Sequence, residues 1–224
     1  ILMFDSVLVA VFTYNEENKI SDVLEKICKK FKNILVVDNN SQDNTLKKIS
    51  NYPVKCIHHK YNLGKSNSMK TALDYARINN FEYLAFIDGD GQHSISDLEK
   101  ICNKILEIKN GLVIGFREDL TNLNLKKKIG TKILNKIFML LYKKKISDIQ
   151  CGLRVFNITE KSIKWESSGL QHYFADAEIT CNAIKNGCQI SQIPIKTITS
   201  DKFKGMNILQ GLYLLIMIIV WRVF

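Results

Sequence analysis

Residues 83–93 read YLAFIDGDGQH and join an apolar run to two closely spaced carboxylates. The run 83–87 has the composition of a buried strand. Directly after it, a single glycine separates Asp88 from Asp90. Two carboxylates this close repel each other unless a positive charge lies between them. The stretch therefore predicts a strand that ends at a divalent cation site.

Further apolar runs, separated by helical patterns, lie on either side of this stretch. They cover residues 7–12, 34–37, 54–57 and 112–116. Alternation of strands and helices is typical of an α/β fold with a mostly parallel sheet and helices on both faces. The sequence shows no linker or internal repeat, and 46% of its 224 residues are hydrophobic. We therefore expect one large catalytic unit.

Polar clusters begin where three of the predicted strands end, at residues 13–17, 38–43 and 88–93. Ligands of parallel sheets bind beyond the carboxyl ends of the strands. Three converging polar loops therefore predict a nucleotide-sized site. The sequence contains neither a G-x-G-x-x-G after the first strand nor a P-loop, which argues against both of those nucleotide-binding types.

The composition indicates the cellular setting and the partners. Six scattered cysteines without a C-x-x-C pair predict reduced thiols in a cytosolic setting and no structural zinc. A net charge of +10 implies an acidic partner such as nucleic acid, anionic lipid or a phosphorylated small molecule. Basic patches interleaved with aromatic residues are not evident, which disfavours nucleic acid.

Two segments of the C-terminal half have an amphipathic or apolar character. Lysines at 126–128 and 143–145 bracket an apolar stripe with helical spacing, which suits either a membrane surface or packing on the core. The stripe consists of Ile129, Ile133, Leu134, Ile137, Leu140 and Leu141. Residues 208–220 are almost wholly apolar and precede Trp221 and Arg222. This run is shorter than the roughly 20 residues that span a bilayer. We expect an interfacial or docking helix, and a span only if the chain continues.

Nine short motifs or single residues along the chain match one known family, and they occur in that family's order. They are TYNEE (13–17), VVDNNSQDNT (36–45), NLGK (62–65), DGDGQH (88–93), GFR (115–117), Asp148, CGLR (151–154), DAE (176–178) and IPI (193–195). Together they resemble family 2 glycosyltransferases with the GT-A fold. Within that family they resemble the branch of dolichyl-phosphate mannose synthase and bacterial polyprenyl-phosphate glycosyltransferases. The resemblance implies a GT-A catalytic domain at 1–204. The apolar run described above places an interfacial or membrane-docking helix at 205–224.

The resemblance implies a nucleotide-sugar donor and a metal ion. Mg²⁺ or Mn²⁺ would neutralise the departing diphosphate as a Lewis acid, held by Asp88, Asp90 and Gln92. The residues expected at the donor are Thr13, Tyr14, Glu16, Asp38, Asn39, Lys65, Asp88 and Gly89. Relatives usually have two aspartates where this chain has Asp38 and Asn39, so the base is open between guanine and uracil.

The acceptor decides which further residues take part. A sugar hydroxyl would need a carboxylate base, for which Asp176 and Glu178 are the candidates beside the catalytic Asp90. A lipid phosphate is already anionic and needs cationic groups that position it. The resemblance implies that Arg117 and Lys127 hold such a phosphate, with Thr131 and Arg154 as further candidates.

Three functions are compatible with these residues. The first is an inverting, metal-dependent transfer of a hexose from a GDP- or UDP-sugar to polyprenyl phosphate. It predicts a peripheral or monotopic enzyme on the cytoplasmic face of a membrane, with oligomers possible. The second is sugar transfer to a hydroxyl of a lipopolysaccharide or capsule glycan. The third is a non-catalytic binding module.

The histidines add little to the predicted site. His58 and His59 are adjacent on a predicted strand and would point to opposite faces, so we expect surface positions rather than metal ligands. His93 follows the Asp-Gly-Asp stretch but matches no fixed ligand of the family.

Overall fold

The computed structural model describes residues 4–117, 125–159, 174–196, 198 and 208–223. The strands in these ranges are β1 (Val7–Thr13), β2 (Ile34–Asp38), β3 (Lys55–His58), β4 (Tyr83–Asp88), β5 (Leu112–Arg117), β6 (Arg154–Asn157) and β7 (Ile190–Ile195). The helices are α1 (Ile20–Cys28), α2 (Thr45–Ile49), α3 (Lys65–Ile78), α4 (Ile95–Ile108), α5 (Leu125–Tyr142), α6 (Ala175–Lys185) and α7 (Ile208–Val223).

The strands form one sheet in the order β3-β2-β1-β4-β6-β5-β7. Every neighbouring pair is parallel except the two that include β6, which lies antiparallel between β4 and β5. The predicted mostly parallel α/β sheet is therefore confirmed. The sequence pattern did not predict β6, because this four-residue strand begins with arginine and lacks an apolar run.

The register of the sheet brings the predicted polar loops to one edge. Phe12 of β1 is opposite Asp88 of β4, and Thr13 is opposite Asp38 of β2. All seven residues of β1 are buried, as expected for the central strand of a sheet covered on both faces. Asp38 and Asp88 therefore lie on either side of the end of β1.

A second apolar cluster joins α5, α6 and α7. Leu134, Phe138 and Tyr142 of α5 pack with Leu214 and Ile218 of α7. Of the two interpretations of the α5 stripe, packing on the protein is therefore correct for Leu134, and Leu141 of the stripe is partly buried against the same cluster. Ile133 and Leu140, which belong to the same predicted stripe, are exposed instead.

No helix among the described residues is long and apolar enough to cross a membrane. Helix α7 has 16 residues and packs against α5 and α6. The division of the chain after residue 204 stays a prediction. The six cysteines are not paired with one another, and four of them are buried.

Replacement of Phe86 should destabilise the sheet directly below the polar edge. The ring is fully buried and makes edge contacts with Phe12 and Phe156, with centroids 5.0 and 5.2 Å away. We expect Phe86→Ala to lower the free energy of unfolding by about 3–5 kcal/mol in urea denaturation, because the lost ring leaves a cavity. Ile78→Ala, at a residue 79% exposed, should change it by less than about 0.5 kcal/mol.

Candidate active site

Asp38 holds the loop that follows β2. Its carboxylate accepts hydrogen bonds from the Ser41 amide, at 2.9 Å, and from the Ser41 hydroxyl. The Nδ1 atom of His58 lies 2.8 Å from Asp38 Oδ2. Asp38 is fully buried, so its carboxylate shapes this loop from inside. Its predicted contact with the donor stays a prediction.

Asn39 connects the end of β2 to the loop before α3. Its Nδ2 donates to Asn62 Oδ1 at 2.8 Å, and its Oδ1 accepts from the Leu63 amide at 2.9 Å. Asn62 Oδ1 also accepts from the amide of Gly64, whose φ of +83° favours glycine. An aspartate at position 39 could not donate to Asn62, so this departure from the family's paired aspartates has a structural consequence.

His59 is buried, so the expected surface position is wrong for this residue. Its ring nitrogens lie 3.2 Å from Asn39 Oδ1 and 3.0 Å from Thr71 Oγ1. Burial lowers the pKa of His59, although the charge of Asp38 acts in the opposite direction. His58 is exposed as expected, while its ring contacts Asp38. Sequence alone did not reveal these contacts, because they join three separate segments.

Four charged side chains alternate in sign across the polar edge. Lys65 Nζ lies 2.8 Å from Asp88 Oδ1 and 3.2 Å from Asp176 Oδ2. Arg154 Nε lies 3.2 Å from Asp176 Oδ1. Burial disfavours the charged form of Asp88, but the positive charges of Lys65 and His93 outweigh it and hold the pKa of Asp88 below its usual value.

Asp90 is the second carboxylate of the predicted metal site. Burial, followed by the negative charge of Asp88, raises the pKa of Asp90 to about 6. Its Oδ1 accepts from the Gln92 amide at 3.0 Å. The carboxylates of Asp88 and Asp90 and the side-chain oxygen of Gln92 fit Mg²⁺ or Mn²⁺. These ions are commonly held by one or two carboxylates plus substrate phosphates. No cluster of three or more His, Cys, Asp or Glu side chains that could hold a metal occurs in the described ranges.

Two glycines allow the backbone to approach this site. A Cβ atom on Gly152 would lie 2.9 Å from Lys65 Nζ and even closer to Asp88 Oδ2. A Cβ atom on Gly89 would lie 3.0 Å from the carbonyl oxygen of Phe12. A larger residue at position 152 would therefore displace the Lys65 or Asp88 side chain, and one at position 89 would press on the backbone of β1. The importance of Gly152 was missed, because its motif alone does not show what it faces.

Arg154 is fully buried, which argues against its predicted contact with an acceptor phosphate. Its guanidinium donates to the backbone oxygens of Cys151 and Asp176, besides its ion pair with the Asp176 carboxylate. These contacts occupy Nε and both terminal nitrogens of Arg154, which are the donors that a phosphate would need. Arg154 instead positions Asp176, in the first turn of α6.

Arg117 ends β5 and is partly exposed. Its Nε lies 2.6 Å from Asp148 Oδ2, and 21% of its side chain is accessible. Burial disfavours its charge, but Asp148 outweighs this and raises the pKa of Arg117. Asp148 was among the residues that match the family, but the sequence indicated no function for it. The structure makes it the residue that orients this guanidinium.

The remaining predicted residues lie at the same edge or outside the described part. Thr13 is buried, and its hydroxyl has no hydrogen-bond partner among the described residues. Tyr14 is 39% exposed, and the Glu16 amide donates to Thr45 Oγ1 at 2.9 Å. Lys127 and Thr131 belong to α5, but their side chains lie outside the description.

His93 is a neighbour of the acidic pair that the sequence analysis did not assign. Its Nε2 lies 3.9 Å from Asp88 Oδ2, and 10% of the side chain is exposed. Its Nδ1 has no hydrogen-bond partner within the part of the chain that the structure describes. The position directly after the Asp-Gly-Asp-Gly-Gln stretch is the only signal that the sequence offered.

Comparison with known protein families identifies the chain that forms this polar edge. The sequence model of Glycosyl transferase family 2 matches residues 8–159. The chain therefore belongs to glycosyl transferase family 2. This assignment confirms the predicted family and makes the protein a glycosyltransferase.

Relatives of this transferase include archaeal and eukaryotic proteins. An uncharacterized protein of Methanocaldococcus jannaschii is 30% identical over 98% of this chain and 93% of its own length. The UDP-N-acetylglucosamine–dolichyl-phosphate N-acetylglucosaminyltransferase of Methanococcus voltae is 29% identical, with 88% of each chain covered. Dolichyl-phosphate beta-glucosyltransferase of Saccharomyces cerevisiae is 25% identical over 84% of this chain and 65% of its own. The predicted resemblance to the dolichyl-phosphate branch is thus confirmed.

Solved structures confirm the predicted GT-A fold of this transferase. Mannosyl-3-phosphoglycerate synthase from Rubrobacter xylanophilus has a TM-score of 0.74 at 16% identity, covering 97% of this chain and 73% of its own. Glucosyl-3-phosphoglycerate synthase from Mycobacterium tuberculosis, in complex with Mn²⁺ and UDP-glucose, has a TM-score of 0.71 at 12% identity, covering 96% and 77%. Both similarities concern the fold.

Gly152→Ala should impair the transferase while leaving its core intact. The added methyl group would displace Lys65 or Asp88, and displacements of about 1 Å near a reacting centre cost on the order of a hundredfold in rate. We expect a loss of this order in kcat/KM for sugar transfer, with the urea midpoint little changed. Gly130→Ala is the control, because Gly130 lies on helix α5 and has open space for a methyl group. Gly187→Ala is unsuitable as a control because the φ of Gly187 is +74°. Full activity of Gly152→Ala would contradict the proposed crowding.

The stability of the transferase should fall in mild acid partly because of His59. Burial lowers the pKa of the folded imidazole, so the unfolded chain binds more protons. This contribution is intact above the unfolded pKa of about 6.5 and is lost as the pH falls toward the folded value. Urea denaturation should show a smaller loss between about pH 7.5 and pH 5.5 in His59→Gln than in the wild type. Equal losses would contradict the assignment.

Proposed function

We propose that this glycosyltransferase moves a sugar from a nucleotide-sugar to polyprenyl phosphate, with inversion and with a divalent metal. The observation that carries the proposal is the environment of Asp176. The side chain is only 9% exposed, and a cation lies 3.2 Å from each of its oxygens. A carboxylate that is buried in this way, with the guanidinium of Arg154 fixed beside it, has little access to a substrate hydroxyl.

The alternative acceptor, a glycan hydroxyl, requires such a proton acceptor. Glu178, the second predicted base, is also buried and has an interaction partner. Neither residue that the sequence analysis offered as a base is therefore open to a substrate hydroxyl. A lipid phosphate avoids this requirement because it attacks as an anion.

Arg117 is the group that we propose to position the acceptor phosphate. Asp148 binds its Nε, and no contact with the described residues occupies the two terminal nitrogens, which we propose to bind phosphate oxygens. Relatives whose names specify dolichyl phosphate as the acceptor support this class of substrate. Lys127 and Thr131 remain candidates for further contacts.

We propose a uridine diphosphate donor. The Methanococcus voltae relative is named for a UDP-sugar, and the Mycobacterium tuberculosis neighbour binds UDP-glucose with Mn²⁺. Asp88, Asp90 and Gln92 would hold Mg²⁺ or Mn²⁺, which would neutralise charge on the leaving diphosphate. The buried Thr13 hydroxyl without a partner among the described residues and the exposed Tyr14 are available to the nucleoside.

We further propose that α5 and α7 rest on the cytoplasmic face of a membrane. Exposed apolar residues on α7 recur every three or four positions, which places them along one side of the helix. They are Leu209, Leu212, Ile216, Ile219, Val220 and Val223. On α5, Ile133 and Leu140 are exposed beside the exposed lysines Lys132 and Lys136. An apolar surface with a basic border suits anionic lipid headgroups.

The acceptor can be tested directly with radiolabelled UDP-sugars. We expect the purified chain with Mn²⁺ to label polyprenyl phosphate and to leave the corresponding polyprenol unlabelled, because only the phosphate provides an anionic nucleophile. Arg117→Lys should lower kcat/KM for the lipid phosphate by about tenfold or more, since lysine cannot grip two oxygens. Arg77→Lys, at an exposed arginine of α3, is the matched control. Transfer only to sugar hydroxyls would instead support the glycan-extending alternative.

Membrane docking can be tested with vesicles of defined charge. We expect sedimentation with vesicles containing anionic phospholipid and weaker sedimentation with neutral vesicles or at high salt, because the basic border is screened. The double variant Leu212→Glu and Ile216→Glu should remain in the supernatant. Wild-type-like sedimentation of that variant would contradict docking through α7.

A further inference from the structure

We infer that Lys65 is an internal counter-ion, which holds the cation position at Asp88 in the metal-free protein and competes with the metal for it. The inference rests on the proposed metal site at Asp88, Asp90 and Gln92. It adds a role for a lysine that the sequence analysis placed only near the nucleotide.

The short-range charges around Asp88 support this role. The Lys65 ammonium lies 2.8 Å from one oxygen of Asp88 and 3.1 Å from the other. A further cationic candidate, His93, lies 3.9 Å away at Nε2 and is charged only when protonated. Asp90 adds a second negative charge to this group, so among the described residues the carboxylates outnumber the lysines that lie within ion-pair distance of Asp88.

Asp176 has a second ion-pair partner besides Lys65, whereas Asp88 has no other short ion pair among the described residues. Arg154 also pairs with Asp176 and is anchored by the backbone oxygens of Cys151 and Asp176. If Lys65 leaves, Asp176 therefore keeps a cationic partner. Asp88 would lose its short ion pair and would need another cation, which a divalent metal provides.

Lys65 is also held by fewer contacts than Arg154. It occupies the first position of α3, and 25% of its side chain is exposed, against none of Arg154. A lysine ammonium moves on a flexible four-carbon stem, while the buried guanidinium of Arg154 is fixed by several bonds. Gly152 leaves the space that the ammonium occupies. Lys65 is therefore free to exchange partners without a change in the backbone.

Exchange at Lys65 would couple metal binding to nucleotide binding. A metal that arrives alone must displace or approach an ammonium on Asp88, which weakens its binding through charge repulsion. A nucleotide diphosphate offers the displaced ammonium new anionic partners, so metal and nucleotide should strengthen each other's binding. This coupling is absent if Lys65 merely supports the loop before α3.

Binding of Mn²⁺ alone tests the inference without any catalytic turnover. Electron paramagnetic resonance would measure free Mn²⁺ in titrations of the wild type, Lys65→Met and Lys65→Arg, each with and without UDP. We expect Lys65→Met to bind Mn²⁺ alone about tenfold more tightly than the wild type, because the competing charge is removed. Lys65→Arg should resemble the wild type. The enhancement of Mn²⁺ affinity by UDP should shrink in Lys65→Met.

Lys70→Met is the matched control, since Lys70 lies on the same helix and its side chain is 52% exposed. It lowers the net charge equally and should leave Mn²⁺ affinity unchanged. Thermal unfolding provides a second measurement, which also shows directly whether each variant is folded. Mn²⁺ should raise the unfolding temperature of Lys65→Met, or of the polar variant Lys65→Gln, more than that of the wild type.

The possible failures are distinguishable. If the wild type binds Mn²⁺ with UDP, but Lys65→Met and Lys65→Gln bind Mn²⁺ alone no more tightly than the wild type, the counter-ion role is wrong and the proposed function stands. If the wild type neither binds Mn²⁺ in the presence of UDP nor transfers sugar, the proposed function and this inference both fail.

Discussion

The ion pairs around Asp88 constrain the whole polar edge of the sheet. Asp88, Asp90 and Asp176 bring three carboxylates to one region, and Lys65 and Arg154 lie among them. Buried carboxylates are tolerated only when cations or hydrogen bonds offset the loss of hydration. The arrangement therefore depends on keeping each cation within bonding distance of its partners, which limits the residues allowed nearby.

The sheet topology satisfies this constraint. Parallel pairing of β1, β2 and β4 aligns the strand ends, so that loops far apart in sequence open at one edge. Insertion of β6 antiparallel between β4 and β5 brings Gly152 and Arg154 to the same edge from the opposite direction. The glycine leaves room for Lys65, and the arginine holds Asp176. Both effects follow from a strand that runs against the others.

The same contacts bear on the chemistry of the acceptor. A buried carboxylate beside the fixed guanidinium of Arg154 stabilises the site but is poorly placed to remove a proton from an acceptor. An arginine held by one carboxylate and still partly exposed is well placed to bind a phosphate. Asp176 and Arg117 thus have complementary environments, and both favour an acceptor that carries its own negative charge.

The sequence by itself determined the strands β1 to β5, their polar ends and the acidic pair, because apolar runs and their boundaries are local signals. Its motifs also identified the family, and with it most of the residues at this edge. Only the tertiary structure decided that Arg154 is buried, that Asp148 orients Arg117 and that Asn39 ties down the loop before α3. Burial and partner choice depend on segments distant in the chain, and no local pattern records which of them will meet.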